Sequence, residues 1–415
     1  MRKQLLLCGG AVGHLMHLYD SKDLTFKEIK MILRKASTGR LEKTSEKMDG
    51  QQLTFSYDVE NGQLRVARSS GDISKGGMDS VALATKFAGR GSVEDAFTGA
   101  FKVLEGAIGS LPEKAKLKVF GNSLNRWYST EIIYTKNPNV INYDTDSLVF
   151  HGWPVFSVDK SGTVSMTEDE GGGVDILTQY IERMQKAVAS TGWKVRGPSI
   201  GRMKSLSNGE IYTSTATLIN GALSAAGVGD DASMGEYLAS LMTDDVIDLE
   251  LDPKVERMVV ARCIGEDGAP GLVEIKKYLD KSQQAKVSEF VKNSPALMKG
   301  YVRPIELAIN DFAVEILKGL SSTLIDDTDK EVQRLRTETE QAIAAIEGSG
   351  NEAAMSILKT QMEKLKSVEN VTSPVEGIVF IYKGNAYKFT GSFASCGQIL
   401  GLFKYGRGNI KVKKD

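Results

Sequence analysis

Cysteine and histidine are scarce in this sequence, at three residues each in a chain of 415. Cys8, Cys263 and Cys396 lie far apart and make no CxxC pair, which excludes a zinc ribbon and argues against a disulfide framework. Three histidines also argue against a multi-histidine metal centre. No GxxxxGK[ST] stretch occurs, so there is no P-loop. No apolar run approaches the length of a membrane span. Charge of one sign is also missing: 52 basic and 53 acidic side chains leave a net charge of −1. Without a global positive field, any nucleic-acid contact has to come from a local patch. The opening "MRKQLLLCGG" has a basic start and a short apolar run, which reads as a buried strand and not as a signal peptide. These absences predict a cytoplasmic protein in a reducing compartment.

What remains is ordinary globular composition, 41% hydrophobic and 25% charged, long enough for two or three domains. "SKDLTFKEIKMILRKAS" carries Leu24, Ile29, Ile32 and Leu33 at helical spacing. The alternating runs "QLTFSYDV" and "QLRVARS" on either side of "ENG" predict a hairpin over 51–68. Helices are predicted at 79–88 and 93–109, and strands in "AKLKVFG", "STEIIYT", "DSLVFHG" and "PVFSVDKSGTVSM". "TEDEGGG" near Thr167 is a break. Beyond it the pattern is helical to about residue 370. It ends in a hairpin over 329–369: Val332, Leu335, Thr339, Ala342 and Ile346, then "GSGN", then Ile357, Leu358, Met362, Leu365 and Val368. Strand texture returns in "VEGIVFIYKGNAYKFTG". The economical division is one mixed α/β domain, 1–166 with 371–401, interrupted by a mainly helical insert at 167–370 and followed by a basic tail, 402–415.

The stretch "SEKMDG" at 45–50 sets Lys47, Asp49 and Gly50 directly ahead of the first alternating run. A free lysine amine, with a pKa of roughly 10.4, is neutral in only about one molecule in a few thousand at pH 7. Burial, nearby cations or a metal must lower that value before the amine becomes a nucleophile, and three units of lowering cost about 4 kcal/mol. Glycine allows a sharp turn or close approach to a ligand. Alone, KxDG is short and mostly marks surface turns.

Its company is more specific. "EKMDG" resembles motif I of the covalent nucleotidyltransferases, which comprise ATP-dependent DNA ligases, RNA ligases and mRNA capping enzymes. Further stretches resemble the family's other motifs in order: "RSSGDI" at 68–73, "YSTEIIY" at 128–134, "DSLVFHG" at 146–152, "VEGIVF" at 375–380 and "YKFTG" at 387–391. The general look is similar to phage RNA-ligase-like nucleotidyltransferases. The resemblance implies an α+β, ligase-type adenylation domain of antiparallel sheets and helices with a large helical insertion. It implies Lys47 as the nucleophile that forms lysyl–AMP, with ATP and Mg²⁺ (or Mn²⁺) as cofactors. Glu46 would read the adenine edge, and Asp49 and Gly50 would complete the motif around the nucleotide. Arg68 and Lys388 would neutralise phosphate charge. Glu131 and Glu376 would hold the ribose or the metal, and Phe150 or a neighbour would stack on the base. The implied partner is nucleic acid with 5′-phosphate and 3′-hydroxyl ends.

Departures from the family pattern narrow the expectation. Gln52 stands where DNA ligases and capping enzymes usually carry arginine, which leans toward RNA. Thr390 stands in place of a second motif V lysine. Only 27 residues follow Lys388, too few for a five-stranded OB-fold, so none is expected. A DNA ligase with a helical clamp, or a non-catalytic nucleic-acid-binding module on the same fold, remain as alternatives.

Other features carry less. "CGGAVGH" at 8–14 lacks the first glycine of a dinucleotide loop and reads as a tight turn. His14 and His17 are helical neighbours by spacing. "TDDVIDLELDP" lacks calcium-loop spacing and reads as a solvated face. The tail, with Lys404, Arg407, Lys411, Lys413 and Lys414 around Tyr405, could track a phosphate backbone or be a charged terminus.

Overall fold

The alternating runs around "ENG" form the predicted hairpin. In the computed structural model β2 (Gln51–Asp58) pairs with β3 (Gln63–Ala67), and Gly62 takes the positive φ that the turn needs. The structure describes residues 15–41, 44–167, 169, 171–197, 209–318, 328–372 and 375–405. The expected N-terminal strand, Cys8, the "CGGAVGH" turn, His14 and the tail cations lie outside the described residues or side chains.

Two sheets carry the α+β architecture. In the larger, the order is β3-β2-β4-β5-β6, with β4 at Arg126–Ile133, β5 at Ser147–Val158 and β6 at Val164–Thr167. All of these pairings are antiparallel. The short β7 (Lys194–Arg196) adds a parallel pairing to β5. In the smaller sheet, β1 (Thr44–Lys47) pairs with β8 (Gly377–Tyr382), which pairs with β9 (Asn385–Thr390). The chain leaves β1 and enters β2 through Met48-Asp49-Gly50 alone, so the lysine motif is the junction of the two sheets.

One face of the larger sheet is apolar. Leu53, Phe55, Tyr57, Ile132, Leu148 and Phe150 pack there against the helix Ser92–Gly109, whose Phe97, Ala100, Phe101 and Leu104 recur at helical spacing. The other face carries Gln52, Thr54, Ser129, Glu131 and His151, as the two-residue period of a strand requires. "AKLKVFG", expected as a strand, is instead the helix Glu113–Phe120. Its apolar positions suit either period, and burial of Ala115, Val119 and Phe120 against the core selects the helical one.

The division of the chain also differs from the expected one. One compact unit is Met1–Leu15, Glu42–Arg202 and Leu320–Asp415; the other is Met16–Leu41 with Met203–Gly319. The helical hairpin, Thr328–Gly348 and Glu352–Leu365, belongs to the first unit. Its stripe of Val332, Leu335, Ala342, Ile346, Leu358 and Leu365 packs with Met48, Ile133, Ile141 and Tyr143 beneath the lysine motif. The second unit is helical, and the early helix Phe26–Ser37 is part of it. Thr25 and Ser233 start helices there with reciprocal capping boxes to Glu28 and Glu236. Inside it, the buried ammonium of Lys30 is held by Asp230 and Asn220. No helix among the described residues is long and apolar enough to cross a membrane.

Candidate active site

Lys47 ends β1, and its direct partner on β8 is Gly377, the residue after Glu376. This register brings the Lys47 ammonium to the Glu376 carboxylate, and Nζ donates to Oε1. The two side chains are only 22% and 17% exposed, so most of the pair is withdrawn from solvent. Burial pushes the Glu376 carboxyl up to about 7; the Lys47 charge opposes that rise, while Asp49 and Glu131 reinforce it. Glu131 on β4 lies near enough to Glu376, Asp49 and Arg68 to bias their charge. Its Oε2 is 3.1 Å from His151 Nε2.

Arg68 follows β3. Its Nη1 donates to the Gln52 backbone carbonyl, and its guanidinium lies over the Phe97 ring, 4.9 Å from the centroid. Burial lowers its basicity, and Glu131 and Asp72 work the other way. Gln52, Glu131, Val149 and Arg196 stand directly opposite one another across β2, β4, β5 and β7. They form one row across the polar face, carrying both signs of charge.

Asp49 does something the motif alone does not announce. Its Oδ2 accepts from the backbone amides of Val140 and Ile141, each at 2.7 Å. Its own amide donates to the Tyr143 hydroxyl at 3.1 Å, and Asn139 Nδ2 donates to the Gly50 carbonyl at 2.8 Å. The aspartate is thus a clasp between the lysine motif and the 139–143 loop. Burial raises its carboxyl pKa, and the two amides offset part of that rise. Burial also takes the Tyr143 phenol well above its usual range. Gly50 is required by space: a Cβ there would lie 2.6 Å from both Glu131 Cγ and the Ile132 carbonyl oxygen.

No family model, no curated protein and no solved structure matches this chain. The chemistry of the site rests on its own geometry.

The remaining expected residues separate. Lys388 is buried on β9, opposite Val379, which is opposite Ser45; it therefore shares the Lys47 face of the smaller sheet. Glu46, next to Lys47 on a strand, points to the other face. Burial pushes its carboxyl up to about 7, with Arg196 opposing. Phe150 goes elsewhere: it is 2% exposed in the core, edge-on to Phe55 at 5.3 Å. It lies on the opposite face of the sheet from Glu131 and is not positioned to stack on a base beside Lys47. His151, its neighbour, takes the polar face. Sequence reading passed over His151, Tyr143 and Arg196, although strand alternation in "LVFHG" turns His151 toward Glu131 once the pairing of β4 with β5 is known.

No group of three or more carboxylate, imidazole or thiol side chains among the described residues forms a metal cage on its own. Glu376 and Glu131, close enough that Glu131 raises the Glu376 pKa, are the carboxylates beside Lys47 that would be offered to a hard cation shared with phosphate oxygens. Mg²⁺ is usually held in that way, by one or two carboxylates plus substrate.

Proposed function

We propose that this chain is an ATP-dependent polynucleotide ligase working through a covalent lysyl–AMP intermediate on Lys47, with RNA ends favoured over DNA ends. The observation that carries the reading is the meeting of Lys47, Glu131 and Glu376, from three distant segments, where two antiparallel sheets join. In the first step the neutral Lys47 amine attacks the α-phosphorus of ATP. A phosphorus–nitrogen bond forms, the bond to the bridging oxygen breaks, and pyrophosphate leaves with the charge. Glu376, already bonded to Nζ and with its pKa raised to about 7, takes the proton that leaves the ammonium to give the neutral amine, and the second proton, lost as the phosphorus–nitrogen bond forms, departs with pyrophosphate. Arg68 and Lys388 supply positive charge to the nucleotide phosphates. Mg²⁺ or Mn²⁺ would be held by Glu131 and phosphate oxygens, with Glu376 joining them once its proton has left, and would neutralise charge developing on the phosphates.

In the second step a 5′-phosphate oxygen attacks the lysyl–AMP phosphorus, which frees the amine and leaves AMP in a 5′–5′ anhydride. A 3′-hydroxyl then attacks the 5′-phosphorus and expels AMP. The preference for RNA rests on the Gln52 position and on the resemblance to RNA ligases.

Incubation with α-labelled ATP and Mg²⁺, followed by a denaturing gel, tests the reading. It expects label on the protein that acid removes and alkali spares, absent from Lys47→Ala. An unlabelled wild-type protein, or equal label on the variant, overturns it. Competition between nicked DNA and single-stranded RNA then distinguishes the two polymers.

A further inference from the structure

The loop clasped by Asp49 is gripped from its other side by the helical hairpin. Glu331 Oε1 accepts from the Asn142 amide at 2.9 Å, and Arg334 Nη2 donates to the Val140 carbonyl at 2.6 Å. The two side chains also bond one another, Arg334 Nε to Glu331 Oε2 at 2.9 Å and Nη2 to Oε1 at 2.5 Å. Glu331 is buried. Three successive amides and one carbonyl of residues 140–142 are therefore fixed between Asp49 and one turn of one helix. Two residues after Arg334 on the same helix, Arg336 donates to the carbonyls of Val371 at 3.0 Å and Glu369 at 2.8 Å, in the segment that precedes Glu376 and β8. A single helix thus holds the segment behind Lys47 and the segment that leads to Glu376.

We propose that Glu331 and Arg334 are positioning residues for Lys47: through the 140–142 backbone and Asp49 they set where the amine stands relative to Glu376 and the nucleotide. The inference rests on the lysyl–AMP reading. Its energetic basis is that the buried Glu331 carboxylate, bonded to a backbone amide and to the half-buried Arg334, which also pairs with Glu338, is costly to leave without its partner. A displacement of about 1 Å in a reacting group lowers a rate about 100-fold. The hairpin contributes no group to the reacting atoms.

The test compares full-length Arg334→Ala, Arg334→Lys, Glu331→Gln and, as control, Glu340→Ala, whose side chain is exposed on the same helix. The single-turnover rate of label transfer from ATP should fall about 10- to 100-fold in Arg334→Ala, with the ATP concentration for half-maximal rate within about twofold of wild type. Glu331→Gln and Arg334→Lys, which keep part of the bonding, should fall between, and Glu340→Ala should match wild type. Hydrogen exchange, which needs no activity, should show faster exchange at 139–143 and at 47–50 together in Arg334→Ala. If that variant does not fold, Arg334→Lys carries the comparison. A wild type that takes no label defeats the ligase reading and leaves the exchange prediction standing. A labelling wild type with Arg334→Ala and Arg334→Lys at its rate, or faster exchange at 139–143 without any at 47–50, overturns the positioning role.

Discussion

Lys47 and Glu376 are 329 positions apart in the chain and form a direct, largely buried ion pair. Removing one partner of such a pair leaves a charge without compensation, so the two residues should not be separable in function. Lys47→Arg keeps the positive charge but offers a guanidinium that does not deprotonate. It should fold and take no label from ATP. Glu376→Gln should slow labelling about 100- to 1,000-fold, the range seen when one preorganised electrostatic contact is removed. Single-turnover labelling measures both, and a Glu376→Gln variant at wild-type rate would refute the role given to this carboxylate.

Glu46 gives a prediction about stability and pH. Its carboxyl is pushed from 4.5 up to about 7, first by burial, with Arg196 opposing. A carboxyl with a raised folded pKa contributes fully below its unfolded pKa and loses that contribution as pH climbs through the folded one. Wild-type stability should therefore decline between about pH 4.5 and 7 relative to Glu46→Gln, whose amide stays neutral. The change should be about 1–3 kcal/mol. Urea unfolding at pH 5 and pH 8 measures it, and Glu376 titrates equally in both proteins. A wild-type-to-variant difference that is the same at both pH values contradicts the argument.

Much of this site is legible in the sequence, for reasons that particular residues make clear. The β2–β3 hairpin is written in alternation around Glu60-Asn61-Gly62, and Lys47, Glu131 and Glu376 each sit at a recognisable point in or beside strand texture. Their meeting follows from pairing between strands, which local pattern does not encode. Two other features stayed hidden. Periodicity showed that Leu335 and Ile346 bury a helical face, but not that the partner surface includes Met48 and Tyr143. Composition likewise placed Asp49 beside Lys47 without revealing that its oxygen is committed to two amides 91 and 92 residues away. Phe150 shows the converse: an aromatic in a motif-like stretch was taken by the core because alternation had already assigned His151 to the polar face.

That assignment can be checked. Phe150→Leu should lower stability by about 1–3 kcal/mol, as expected for shrinking a packed aromatic. ATP affinity should stay within about twofold of wild type, because the ring does not reach the Lys47 face. A base-stacking role predicts otherwise, since losing a stack weakens binding by about 1–3 kcal/mol, roughly 5- to 150-fold. Calorimetric titration with a non-hydrolysable ATP analogue, alongside urea unfolding, separates the two.

Gly50 provides the sharpest steric prediction. An alanine Cβ would meet the Ile132 carbonyl oxygen at 2.6 Å and Ile133 Cδ1 at 2.8 Å, and the first of these is backbone in a paired strand. Side-chain rotation cannot relieve that contact, so β2 and β4 would have to part just where Gln52 pairs with Glu131. Gly50→Ala should cost about 1–3 kcal/mol, as overpacking does, and should also slow Lys47 labelling, because the same shift moves Glu131. Gly76, where an added Cβ meets nothing within 4 Å but φ is +81°, is the control for backbone preference alone. Gly76→Ala should cost stability and leave the labelling rate intact. Equal labelling rates for Gly50→Ala and wild type would show that the close approach of these two strands is not what positions the site.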